Sequence, residues 1–268
     1  MKLAFIGGGT MGEAIIAGVL DKGVVSPGDI SACDISPVRR EHLAITYGVN
    51  VAEEATAASS QSDIVILAVK PQEFPAAGRA LNSNLNGNQT VMSIMAGVPI
   101  DAIRSALKHD AVVRAIPNTP AQIGEGMSVW TATEAVPDST CASVRSVLSV
   151  LGRELYVDDE KYIDMATAVS SSGPAYVFLV IESLVDAAVH IGLSREIAVP
   201  MVLQTVLGSA RYALETGKHP AELRNQVTSP GGTTTEGLRE LEEAGLRAAF
   251  VNAVEAAYEK AKALGGQK

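Results

Sequence analysis

Leu3-Ala4-Phe5-Ile6-Gly7-Gly8-Gly9-Thr10-Met11-Gly12 is the stretch on which the fold turns. Lys2 to Ile6 is a short apolar run that ends on glycine, and residues 10–22 then bring Met11, Ala14, Ile15, Gly18 and Val19 onto one helical stripe. The glycines fit G-x-G-x-x-G at a strand-to-helix turn, which is the context in which that pattern signals a dinucleotide site. Each glycine has a physical task. Gly7 permits the tight turn, Gly9 lets backbone approach a pyrophosphate, and Gly12 lets the helix pack closely on the strand. The helix N-terminus offers unpaired N–H groups and a partial positive charge to the phosphates.

The alternation continues downstream. Asp29 to Cys33 reads as a second strand, Pro37 to Tyr47 as a helix with Ser36 at its N-cap, and Val49 to Ala52 as a third extended piece. Residues 64–69 are wholly apolar, as in a strand buried on both faces. Thr90 to Met95, Val112 to Ile116 and Ser128 to Thr131 follow as strands. This predicts an α/β fold: a parallel sheet flanked by helices, with right-handed crossovers. The pattern changes near residue 156, giving an expected dinucleotide-binding domain over 1–156 and a helical domain over 157–268. The helical segments are Pro174 to Ile191, Ser194 to Glu215, Pro220 to Val227, Thr234 to Glu243 and Leu246 to Leu264. Pro200 is expected to kink or break the second of these. Ser170-Ser171-Ser172-Gly173-Pro174 reads as a serine cap with proline at the first helical position. The helix after it is apolar around most of its circumference, more than about 110 residues can cover, so an intertwined homodimer is expected.

Composition narrows the function classes. The chain has 268 residues, 47% hydrophobic and 19% charged, which is a folding composition rather than a disordered one. Lysine and arginine total 21 against 30 acids, a net charge of −9. With no basic cluster and 4% aromatics, neither nucleic acid nor an anionic membrane is an expected partner. No apolar run reaches the roughly 20 residues of a membrane span, and the first residues read as a core strand, not a leader. His42, His109, His190 and His219 stand apart, as do Cys33 and Cys141, so no metal site is expected and the cysteines read as filler in a reducing cytosol.

Two constellations invite chemistry. Asp34 lies 22 residues after Gly12, where an acid accepts from a ribose 2′-hydroxyl and repels a 2′-phosphate, favouring NADH. Arg39 and Arg40 follow closely enough to hold a 2′-phosphate, so NADPH stays open. Lys70, in Ala68-Val69-Lys70-Pro71, ends the long buried strand, where it either meets the cofactor or caps the strand in water; Ser93 to Gly97 ends the next on the same edge. Farther on, Thr228-Ser229-Pro230-Gly231-Gly232-Thr233-Thr234-Thr235 places five hydroxyls and a Pro-Gly-Gly turn directly before a helix. A plain cap needs one hydroxyl. The surplus suits a nest for a carboxylate, with hydroxyls free to donate to a reacting heteroatom. Glu160, at the domain junction, is placed to face the same cleft. The helix from Pro174 lacks the lysine on which hydroxyacid dehydrogenases of this layout depend as a proton shuttle. Reduction of a C=N bond demands less, because the imine nitrogen can arrive protonated.

Taken together, these residues resemble the Δ1-pyrroline-5-carboxylate reductase family over essentially the whole chain. The resemblance rests on residues 5–12, on Ala68-Val69-Lys70-Pro71, on Arg114-Ala115-Ile116-Pro117-Asn118-Thr119-Pro120, on Ser172-Gly173-Pro174-Ala175-Tyr176 and, most specifically, on residues 228–234. It implies an N-terminal Rossmann domain and a C-terminal all-α dimerisation domain like that of 6-phosphogluconate dehydrogenase. It implies a cytoplasmic oxidoreductase of proline biosynthesis that uses NAD(P)H to reduce 1-pyrroline-5-carboxylate to L-proline. The active site would lie between the first domain of one subunit and the helices of its partner, in a homodimer or a ring of dimers. Carried over by position, the cofactor residues are Ile6, Gly7, Gly8, Gly9, Thr10, Met11, Gly12, Asp34, Ser36, Ala68, Val69, Lys70, Pro71, Ile94, Met95 and Ala96. The substrate residues are Glu160, Gln226, Ser229, Gly231, Gly232, Thr233 and Thr234, with the Thr234 hydroxyl at the ring nitrogen. The chain departs from relatives at Asp34, where a small or basic residue is frequent, at Ala55 and Gln226, where asparagine occurs, and at Ser171-Ser172, where Gly-Ser is more usual.

Overall fold

The structure, a computed structural model, describes residues 1–82 and 84–266. Eight strands form one sheet: β1 (Leu3–Ile6), β2 (Ile30–Cys33), β3 (Asn50–Ala52), β4 (Ile64–Leu67), β5 (Thr90–Ser93), β6 (Val112–Ile116), β7 (Gly126–Ala132) and β8 (Gly152–Tyr156). Their order is β3-β2-β1-β4-β5-β6-β7-β8, so the chain winds outward in both directions from β1 and β4. The helices of this unit are α1 (Thr10–Asp21), α2 (Pro37–Tyr47), α3 (Ala55–Ser59), α4 (Phe74–Leu81), α5 (Ile100–Leu107), α6 (Asp138–Ser149) and α7 (Lys161–Ala166). Phe5 packs with Ile15, Val19, Leu43 and Leu148 on one face, and Ile6 with Leu67, Leu81 and Ile103 on the other. Central strands wetted on neither face explain the continuous apolar runs of the sequence.

Two departures from the sequence reading concern the far edge. β7 pairs antiparallel with β6, although an all-parallel sheet was expected. The connection 117–125 is too short for a helical crossover, which takes a dozen residues or more, so the chain can only turn back. β8 was not anticipated. It pairs parallel with β7 after α6, and Gly-Arg-Glu-Leu-Tyr carries no apolar run because it lies at the edge of the sheet, largely exposed.

The chain divides into two compact units, Met1–Ser172 with the end of the last helix from Ala257, and Gly173–Ala256. Compactness draws the line beyond the change of pattern at 156 because α7 is docked on the sheet. Arg114, on β6, is 1% exposed; its Nη1 donates to Glu160 Oε1 and its Nη2 to Asp164 Oδ1, each at 2.7 Å. A guanidinium this deep is tolerable only when its charge is matched. Ile163 packs beside it against Ile116 and Val129.

The serine cap expected at 170–172 is not formed. α7 leads into a π-turn, Thr167–Ser171, and then α8 (Gly173–His190). Ser172 N–H donates to the Thr167 carbonyl at 2.9 Å. Pro174 has no N–H to offer the Ser170 carbonyl, which accepts instead from Asn118 Nδ2 at 3.1 Å.

The second unit holds α8, α9 (Arg195–Thr216), α10 (Pro220–Gln226), α11 (Thr233–Glu243) and the first part of α12 (Leu246–Leu264). Pro200 lies inside α9 without ending it. The expected burial of α8 is not met within one chain: Phe178 is 59% and Leu179 62% exposed, and α9 leaves Leu207 59% exposed. By length and composition alone, Lys161–His190 and Arg195–Thr216 are long and apolar enough to cross a bilayer, a correction to the sequence reading, which found no such stretch.

Candidate active site

In the first unit, strand register gathers the expected cofactor residues. Ile6 pairs with Cys33 and with Leu67, and Leu67 with Ser93, so β1, β2, β4 and β5 end side by side. Their carboxyl ends carry Gly7–Gly12, Asp34 and Ser36, Ala68–Pro71, and Ile94–Ala96. This is the point where strand order reverses, the place at which open α/β sheets bind ligands.

The glycine turn works by close approach and by open space. Gly7 has φ +101°, and a Cβ there would stand 2.7 Å from the Ala68 carbonyl oxygen. A Cβ on Gly12 would meet the Gly7 carbonyl oxygen at 2.6 Å, so α1 starts tight against β1. A Cβ on Gly9, by contrast, would meet nothing within 4 Å. Gly9 is the N-cap of α1 and makes no side-chain cap, so the first amides of the helix face that space unsatisfied. Cradle and donors fit a pyrophosphate.

Asp34 follows β2 and is built in. Its Oδ2 accepts from Gly8 N at 2.8 Å and its Oδ1 from Ser36 N at 2.9 Å. Ser36 caps α2 as expected, accepting from Arg39 N at 3.3 Å. Lys70 is exposed at the strand end, its N–H given to Glu73 Oε2 at 3.2 Å. Ile94 N–H donates to the Leu67 carbonyl at 3.1 Å and Met95 N–H to Ser93 Oγ at 3.2 Å, fixing the β5 exit. Glu160 uses Oε1 twice, for Arg114 and for Ile100 N at 2.8 Å; among the described residues no hydrogen bond ends on Oε2.

The hydroxyl turn belongs to the second unit. Gly231 has φ +66°, and a Cβ on Gly232 would stand 2.3 Å from Ser229 Oγ. Ser229 O accepts from Gly232 N at 3.0 Å and from Thr235 Oγ1 at 2.9 Å, while Thr228 Oγ1 donates to the Arg224 carbonyl at 2.7 Å. Two of the five hydroxyls are thus spent on the turn itself. Gly232 is the N-cap of α11 and brings no side chain, and among the described residues the Thr233 and Thr234 hydroxyls have no partner. Thr234 is half-buried and Thr233 exposed. Gln226 ends α10, exposed, and donates to Glu222 Oε1 at 3.4 Å.

Sequence reasoning missed two clusters. One is Arg114 with Asp164, signalled by an arginine inside an apolar strand and an acid inside a largely apolar helix. The other joins α1 to α2: Glu13 accepts from Arg39, from His42 Nε2 at 2.7 Å and from Tyr47 Oη at 2.9 Å, and Arg39 Nε also donates to the Gly8 carbonyl. Burial pushes the Glu13 carboxyl up, but the bonds from Arg39, His42 and Tyr47 outweigh it and hold the group down at about 2.

Comparison with known proteins places both units. Residues 160–264 match the family described as pyrroline-5-carboxylate reductase dimerisation, and residues 2–97 match NADP oxidoreductase, coenzyme F420-dependent. The pyrroline-5-carboxylate reductase of Synechocystis sp. is 41% identical, the match covering 99% of this chain and 98% of that protein. The Coxiella burnetii enzyme structure is 35% identical with TM-score 0.92, covering 100% of this chain and 98% of that one. The Plasmodium falciparum pyrroline carboxylate reductase, solved with NADP bound, is 32% identical with TM-score 0.89, covering 99% and 98%.

The contrast between Gly9 and Gly7 is testable. Gly9→Val should cost no more than about 1 kcal/mol of stability, as a poorer N-cap, and weaken dinucleotide binding by about tenfold or more, since its side chain fills the cradle. Gly7→Ala should cost about 1–3 kcal/mol of stability in urea titration, because backbone must move. Unchanged binding in Gly9→Val, measured by nucleotide fluorescence, would reject the cradle.

Proposed function

The chain belongs to the pyrroline-5-carboxylate reductase family, and from that premise we propose how its residues divide the work. The reaction is reduction of 1-pyrroline-5-carboxylate to L-proline, the last step of proline biosynthesis. A bound nicotinamide dinucleotide supplies hydride from C4 to the imine carbon. In our reading residues 1–156 bind that dinucleotide, and residues 157–268 bring substrate and form the dimer. The free amides of Gly9–Gly12 take the pyrophosphate. Asp34, held by Gly8 and Ser36, takes the ribose 2′-hydroxyl, so NADH is preferred over NADPH. Residues 68–71 and 94–96 shape the nicotinamide side.

The observation that carries the substrate half is the turn at 228–235. Its amides and its unspent hydroxyls lie together at the head of α11. The Gly232 N–H is committed to the Ser229 carbonyl and so, contrary to the sequence expectation, is not free for substrate. The Gly231 amide and the first amides of α11, with Thr233, hold the substrate carboxylate, and Ser229 and Gln226 border it. Thr234 Oγ1 hydrogen-bonds the ring nitrogen, which needs orientation rather than a strong base because it arrives protonated. Glu160 contributes through Oε2, Oε1 being committed to Arg114. The exposed apolar surfaces of α8 and α9 are covered by a second copy, a reading supported by the match of 160–264 to a dimerisation family. The enzyme is accordingly a homodimer or a ring of such dimers, and, with two isolated cysteines, we place it in the reducing cytoplasm.

Thr234→Ala should lower kcat/KM by tenfold or more, about 1.4 kcal/mol of transition-state stabilisation, with circular dichroism unchanged. Full activity in that variant would remove Thr234 from the reaction. A kcat/KM ratio favouring NADH, reversed towards NADPH in Asp34→Ser, is expected; an NADPH preference in the native chain contradicts the role given to Asp34. Leu179→Glu should shift sedimentation from dimer to monomer, and a native chain sedimenting as a monomer contradicts the coverage of α8.

A further inference from the structure

Arg39 stands beside the cofactor cradle but is already engaged. It leaves the first turn of α2, lies over the glycine turn, and gives Nε to the Gly8 carbonyl and Nη2 to Glu13. Its side chain is 26% exposed and that of Glu13 23%, so the pair is sheltered on both sides. Glu13 is itself fixed from two more directions, by His42 and Tyr47 on α2. The other nearby cation is committed too: Arg40 Nη1 donates to the Asp34 carbonyl at 2.6 Å and Nη2 lies 3.9 Å from Glu53. Around the ribose end of the cradle two acids, Asp34 and Glu13, therefore offset two arginines. A 2′-phosphate brings about two negative charges and requires an arginine fork free to bind it.

We infer that Glu13 is a specificity-determining positioning residue: by latching Arg39 to the glycine turn it withholds the cation a 2′-phosphate needs, and so selects a dinucleotide whose adenosine ribose carries a free 2′-hydroxyl. The inference rests on the reading of residues 3–12 and Asp34 as the dinucleotide cradle, and it adds a residue of α1 that is not among the expected cofactor residues and acts through Arg39. Glu13 remains ionised far below neutral pH, so the latch is charged under any ordinary assay condition. A purely structural strap between α1 and α2 would change affinity for both kinds of nucleotide alike. A latch on Arg39 changes their ratio.

The test is calorimetric titration of the full chain, without turnover, using 2′,5′-ADP and ADP as probes with and without the 2′-phosphate. Glu13→Gln should tighten 2′,5′-ADP by about tenfold and leave ADP within about twofold, the size expected of one charge-assisted arginine–phosphate contact. Glu13→Gln combined with Arg39→Met should lose that gain. In the native background Arg39→Met should weaken 2′,5′-ADP by less than about threefold, because Arg39 is not available to it; this arm decides the matter even where Glu13→Gln does not fold. An unchanged ratio in Glu13→Gln, a gain that survives removal of Arg39, or a tenfold loss on Arg39→Met in the native chain each overturns the inference. A native chain that binds neither probe overturns the cradle, and the inference with it.

Discussion

A backbone contact between β1 and β4 underlies the dinucleotide half of the enzyme. The Gly7 Cα lies so near the Ala68 carbonyl that no side chain fits between them. That approach lets the chain leave β1, turn at positive φ and enter α1 with its first amides bare. Donors at a helix start are ordinarily covered by a serine, threonine or aspartate side chain. Here Gly9 covers nothing, so the donors are left uncapped by any side chain. Asp34 then ties the turn through the Gly8 amide, coupling the glycine loop to the end of β2.

The helical unit repeats the device in a different setting. Gly232 heads α11 as Gly9 heads α1, again without a capping side chain. Hydroxyls have been placed around the bare amides, and the turn uses some of them to hold its own shape. Thr228 and Thr235 bond carbonyls of the turn and its approach, whereas Thr233 and Thr234 do not. A helix start without a capping side chain and with spare hydroxyl donors suits, in the reading proposed above, a small cyclic amino acid precursor, which presents a carboxylate next to a nitrogen. The same unit leaves large apolar residues of α8 and α9 exposed within one chain, surface of the kind that marks an interaction face and whose burial contributes roughly 25 cal/mol per Å2.

Much of this was legible in the residues, for identifiable reasons. The apolar runs of β1, β4 and β6 and the Ser36-Pro37 start of α2 announce themselves because local chemistry and tertiary role agree. The hydroxyl turn was conspicuous because five hydroxyls exceed what a cap requires. What stayed hidden depended on partners distant in sequence. β8 is an exposed edge whose sequence has no strand-like run. The reversal at β7 is dictated by loop length rather than by the strand. Ser170–Ser172 mimics an N-cap, yet the helix passes through it, because Asn118 supplies the hydrogen bond that Pro174 cannot. Arg39 read as close enough to hold a 2′-phosphate; its engagement instead by Glu13, 26 positions away, was not visible in the sequence.

The measurement closest to the central claim is loss of absorbance at 340 nm when the purified chain is given racemic 1-pyrroline-5-carboxylate and either reduced nicotinamide dinucleotide. The account expects one proline formed per dinucleotide oxidised, with NADH the better donor. Tight dinucleotide binding with no oxidation and no proline would contradict it, leaving a protein that holds the cofactor without using it.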